Sequence, residues 1–96
     1  MRNRYLVAYD IRDPIRLRQM RQTMMGFGEP RQYSVFLCEL SPKEKVIMIS
    51  TISGAINHAD DSVLVVDLGP SGGRGDDCIE SMGQPRELSD RGPIVI

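Results

Sequence analysis

Two groups of residues in this chain suit chemistry by type and position. The first is Asp10, which closes the apolar run Tyr5-Leu6-Val7-Ala8-Tyr9 and is followed by Ile11 and Arg12. A carboxylate at a strand end either accepts hydrogen bonds from nearby backbone amides or presents its charge to a ligand. The second group is seven arginines, Arg2, Arg4, Arg12, Arg16, Arg18, Arg21 and Arg31, set in the first 31 residues against Asp10, Asp13 and Glu29. Seven bases and three acids give this part +4, while five bases and ten acids give residues 32–96 −5, so the net charge of −1 hides a polarised chain. The planar guanidinium grips a phosphate through two parallel hydrogen bonds, where lysine offers a point charge. An arginine-rich face on a near-neutral protein suits a nucleic-acid backbone, or else is a solvated helix surface.

The other titratable groups carry weaker signals. Asp13 precedes Pro14 and reads as a helix cap. The paired acids Asp60-Asp61 and Asp76-Asp77 lie in loop sequence and are expected to be solvated. Asp67 stands inside an apolar strand, which suits a subunit edge or an arginine partner. His58 has no partner pattern. Cys38 and Cys78 lack metal-ligand spacing, and two cysteines are too few for a disulfide scaffold or a four-ligand zinc site. They are expected to be reduced thiols in a cytoplasmic protein.

These groups must be positioned by regular elements. Arg4–Ile11 reads as a buried strand. Asp13-Pro14 starts a helix whose apolar stripe is Leu17, Met20 and Met24, and Gly26 and Gly28 stop it. Gln32–Leu40 reads as extended, with Ser34 marking a bend that splits it into two strands. Ser41-Pro42-Lys43-Glu44 is a capping box opening a second helix, with Val46, Ile49, Ile52 and Ile56 as its apolar face. Ser62–Leu68 is another strand. Pro70–Gly75 reads as a flexible loop, and Cys78–Met82 as a late short strand. Together 70–92 forms a loop region, and the apolar tail 93–96 suits an added edge strand, in place or on a neighbouring protomer.

The order β-α-β-β-α-β is that of a ferredoxin-like α+β domain. A chain of 96 residues supplies one such domain, with one thin core that hides roughly 60–65% of its unfolded surface. Two helices cover one sheet face. Tyr9, Phe36 and the strand valines are expected to need a cover on the other, most simply a second copy packed sheet to sheet. With 41% hydrophobic and 26% charged residues, the chain is too apolar for a disordered one. No apolar run approaches the roughly 18–20 residues of a membrane helix. The N-terminal apolar run is broken at Asp10, which leaves no signal-peptide core.

At Tyr9-Asp10-Ile11, Asp13 and the arginine-rich helix, at Gly28, Arg31 and Gln32-Tyr33-Ser34-Val35-Phe36, at Asp61-Ser62-Val63 and in the isoleucine-rich tail, the chain resembles a known family. It is similar to the small CRISPR-associated endonucleases that partner the spacer integrase. The resemblance runs from Tyr5 to Ile96, and the QYSVF block is its most specific part. It implies a ferredoxin-like homodimer that binds nucleic acid and cuts single-stranded RNA or double-stranded DNA with Mg2+. It also implies the catalytic pair Asp10 and Tyr9, Asp10 as metal ligand, and Arg16, Arg18 and Arg31 as nucleic-acid contacts. A twofold axis beside strand one would bring two Asp10 carboxylates together, and a shared cation would relieve their repulsion. The alternative is a non-catalytic DNA-binding scaffold in the spacer integration complex. A metabolite-binding ferredoxin-like module is a third reading, disfavoured by the arginine bias and the QYSVF block.

Overall fold

The computed structural model describes residues 1–83. Its elements are β1 (Asn3–Asp10), α1 (Pro14–Met25), β2 (Gly28–Gln32), β3 (Val35–Leu40), α2 (Pro42–Ala55) and β4 (Ser62–Pro70), then a 3-10 turn at Arg74–Cys78. The four strands form one antiparallel sheet in the order β2-β3-β1-β4. This is the ferredoxin-like layout expected from the element order.

Both helix starts follow from local chemistry. Asp13 Oδ2 accepts from the backbone N–H of Arg16 at 2.8 Å, with proline in the first turn behind it. Ser41 Oγ accepts from Glu44 N, and Glu44 Oε1 accepts in return from Ser41 N. Each exchange satisfies N–H groups that a helix start leaves without partners.

The core lies between the helices and one face of the sheet. Tyr5, Val7 and Tyr9 of β1 and Phe36, Cys38 and Leu40 of β3 meet Met20 and Met24 of α1 and Met48 and Ile52 of α2. Successive side chains of a strand point to opposite faces. Arg4, Leu6, Ala8 and Asp10 therefore face away from the helices.

Several details depart from the sequence expectations. Tyr9 and Phe36 are not on the uncovered face; both are buried under the helices, with their rings stacked at 6.2 Å. The uncovered face instead carries Leu64 and Val66, 67% and 43% exposed, which are paired in register with Ala8 and Leu6. In α2 the buried side chains are Met48 and Ile52, while Val46 and Ile49 are exposed. That helix has apolar residues around most of its circumference, so spacing alone does not choose its inner face. Gly28 does not merely stop α1; it opens β2, which pairs with β3 through Gly28 and Cys38. The bend does fall at Tyr33-Ser34, but the strand before it, β2, occupies Gly28–Gln32 and shares only Gln32 with the extended run, which supplies β3 alone.

The region after β4 also differs. Arg74–Cys78 forms a 3-10 turn where a flexible loop was expected, and Ile79–Met82 forms no strand. The turn packs closely: a Cβ on the buried Gly75 would collide with the Leu68 carbonyl and side chain. Arg4 on β1 pairs with Asp76 at 3.2 Å and ties the turn to the uncovered face. The remainder of the 70–92 region beyond Gly83 and the edge strand expected at 93–96 lie outside the described residues.

Candidate functional site

Asp10 is exposed at the C-terminal end of β1, paired in register with Ser62. It shares its face with Leu6 and Ala8, so it stands at the margin of the open apolar patch. Tyr9 points the other way. Its hydroxyl is buried near Arg21; burial pushes its pKa up, and the Arg21 guanidinium partly offsets that. The structure therefore does not bring Tyr9 and Asp10 together in one cleft.

The expected arginine contacts divide into two kinds. Arg16 is engaged within the chain: its Nε and Nη2 donate to Asp61 Oδ2 and Oδ1 at 2.9 and 3.0 Å. Arg18 is exposed on α1 and Arg31 is exposed on β2. Neither makes an ion pair among the described residues. The register shifts between Pro30 and Gln32, which leaves Arg31 as an extra residue on the edge strand. Such a bulge re-aims a side chain out of the ladder. Arg31 lines a shallow cleft of about 240 Å³ with Arg4, Leu37, Asp76, Ile79 and Ser81.

Asp61 is the residue whose role sequence reasoning missed. It was expected in solvent, yet its side chain has no exposed surface. Besides Arg16, it accepts from Arg12 N at 3.0 Å and Asn57 N at 2.9 Å. One carboxylate thus ties the end of β1, the first turn of α1 and the loop after α2. The Arg16 guanidinium and the two backbone N–H groups hold it well below the usual carboxylate range, against the opposing effect of burial. The available signal was an arginine in the first turn of α1, a helix with no acid of its own beyond the Asp13 cap.

Other acids are accounted for locally. Among the described residues Asp67 takes no arginine partner; it accepts from Asn3 Nδ2 at 3.1 Å and from Gly69 N at 2.8 Å. The His58 ring contacts the Ser53 carbonyl at 2.9 Å near the end of α2. Cys38 is buried, and burial pushes its thiol up to about 11.

Among the described residues, no three His, Cys, Asp or Glu side chains are grouped to hold a metal. Magnesium keeps several waters and binds through one or two carboxylates. Asp10 is the exposed carboxylate at the end of β1. Asp10 supplies one such carboxylate, and a second Asp10 approaching across the open face would supply another.

Together the fold and this fringe define a small ferredoxin-like protein with an exposed strand-end carboxylate and arginines turned to solvent. A family model described as CRISPR associated protein Cas2 matches residues 2–72, and the chain belongs to that family. A CRISPR-associated endoribonuclease Cas2 of Rhodospirillum rubrum is 41% identical over 92 residues, covering 96% of this chain and 89% of the relative. One from Geobacter sulfurreducens is 45% identical over 71 residues, covering 74% and 75%. The crystal structure of Streptococcus pyogenes Cas2 superposes with a TM-score of 0.73 at 28% identity, covering 83% of this chain and 99% of that one. No helix among the described residues is long and apolar enough to cross a membrane.

Proposed function

We propose that this chain is a Mg2+-dependent endonuclease of the CRISPR system that acts in the cytoplasm as a twofold homodimer. The relatives named as endoribonucleases support RNA as a substrate. The observation that carries the mechanism is the placement of Asp10, exposed on the same face as Leu6, Ala8, Leu64 and Val66. Burying that apolar patch against a second copy draws two Asp10 carboxylates toward one axis. When bound there, the ion supplies an activated water and charge stabilisation at the phosphorus. Arg18 and Arg31 hold the flanking phosphates, and Arg16 keeps its place through Asp61. Tyr9 sits behind the site and supports β1 from the core side.

The test is cleavage of single-stranded RNA and double-stranded DNA with Mg2+ and with chelator, in parallel with Asp10→Asn. Cleavage that needs Mg2+ and falls to the chelator level in the variant is expected. Unchanged cleavage by Asp10→Asn removes Asp10 as the ligand.

A second reading rests on the exposed Arg18 and Arg31, which contact phosphates without any chemistry. In it the dimer is a DNA-binding scaffold for the spacer integrase. Phosphate contacts alone give sequence-tolerant, salt-sensitive binding. Spacer acquisition that survives Asp10→Asn selects this reading.

A further inference from the structure

Of the two aromatic side chains in the QYSVF block, the structure leaves only one accessible. Phe36 has no exposed surface, whereas Tyr33 at the β2–β3 turn is 53% exposed. The Tyr33 ring is backed by a cation: the Arg21 guanidinium carbon lies 5.4 Å from its centroid and 5.6 Å from that of Phe36. Arg21 is itself held in place, donating from Nη1 to the Tyr33 carbonyl at 2.7 Å. An aromatic ring fixed in this way presents a rigid surface at little entropic cost.

Its surroundings indicate what such a surface would take. Arg18 lies one turn before Arg21 on α1, so the two share a helix face. Arg31 lies two residues before Tyr33 on β2. The turn is also bonded to the end of β1: Tyr9 N donates to the Ser34 carbonyl at 3.1 Å. The turn therefore lies beside the end of β1. The Tyr33 ring lies on the helix-covered side with Arg21 and Phe36, whereas Asp10 faces the open side, so stacking surface and carboxylate occupy opposite faces at the same end of the sheet.

We infer that Tyr33, backed by Arg21, is a stacking site for an unpaired nucleobase of single-stranded nucleic acid. This rests on the nuclease reading for its purpose, since it would hold a single strand by one base at the end of the sheet that carries Asp10. Stacking is indifferent to base identity but needs an open base face, which a duplex offers only at its ends or by flipping. The site therefore selects strandedness rather than sequence.

The test reads binding in chelator, where no metal-dependent cleavage occurs. The chain contains no tryptophan, so Tyr33→Trp adds a single indole reporter at the site. Single-stranded RNA and single-stranded DNA of one sequence, and the corresponding duplexes, are titrated against it. Quenching by the single strands and not by the duplexes is expected, and the two single-strand arms show which sugar is preferred. In fluorescence anisotropy, Tyr33→Ala weakens single-strand binding roughly tenfold or more while Tyr33→Phe retains it. Duplex binding stays at the parent level in both.

Tyr33→Ala binding as tightly as the parent overturns the inference. An equal loss for single strand and duplex does the same, as does indole emission that single strands leave unmoved, or a parent that binds no single strand. Circular dichroism confirms that each variant is folded. The two readings fail separately. If Asp10→Asn cleaves normally while Tyr33→Ala loses single strands, the metal-ligand assignment falls and the stacking site stands.

Discussion

Asp61 shows how much one side chain can decide. Its carboxylate receives four hydrogen bonds, from Arg12 N, Asn57 N and two atoms of Arg16. Arg12 is two residues past Asp10, so Asp61 also fixes where β1 ends. A buried charge that loses its partner is far costlier than the pair was favourable. Replacing Asp61 leaves the Arg16 guanidinium and two backbone N–H groups short of an acceptor. Asp61→Asn is expected to lower Tm by roughly 10 °C at pH 7. The folded pKa of Asp61 lies below its unfolded value, so its contribution is complete above about pH 4 and is lost as pH falls below that. The gap in Tm between parent and variant should therefore shrink below about pH 4. Thermal unfolding followed by circular dichroism across pH checks both statements, and a gap independent of pH refutes the second.

At the scale of elements, the two glycines after α1 have different roles. Gly26 caps the helix with ordinary right-handed backbone, and a Cβ there would lie 3.3 Å from the Thr23 carbonyl. Gly28 begins β2, where a Cβ would fall 2.6 Å from Cys38 Sγ and closer still to the Leu37 carbonyl. The sequence GEPRQ has little intrinsic strand preference, and β2 exists because β3 offers it a partner. Gly28→Ala is expected to cost about 1–3 kcal/mol by forcing β2 off β3. Gly26→Ala is expected to stay within about 0.5 kcal/mol, as surface changes usually do. Urea unfolding of the two variants separates them, and equal midpoints would show that β2 does not pack as closely as described. The caps at Asp13 and Ser41 were legible because each needs only residues within one turn. The inner face of α2 was not, because its choice of Met48 and Ile52 over Val46 and Ile49 depends on how the helix docks.

For the whole molecule, the open sheet face governs the proposed assembly. Leu64 and Val66 are exposed beside Leu6 and Ala8, while Arg4, Asp76 and the 3-10 turn border that face where the turn is tied to β1. A charge placed in the centre of the patch should prevent two sheets from meeting. Leu64→Lys is expected to convert a dimer to a folded monomer, read by light scattering coupled to gel filtration. The same variant should lose Mg2+-dependent cleavage, since one chain offers one Asp10. A monomeric parent, or a Leu64→Lys dimer with full activity, would refute the sheet-to-sheet arrangement.

Local pattern in the sequence determined β1, β3, β4, both helix starts, the arginine bias and the resemblance that the family match bears out. These depend on neighbours along the chain, where side-chain alternation, capping and charge act within a few residues. Tertiary structure alone decided which way Tyr9 and Asp10 face, which of Tyr33 and Phe36 meets solvent, and which arginines remain available. Arg16 and Asp61 are 45 residues apart, and only the docking of α1 beside the start of β4 makes them one half-buried ion pair. Such pairings arise from sheet register and helix docking, which short windows of sequence do not encode.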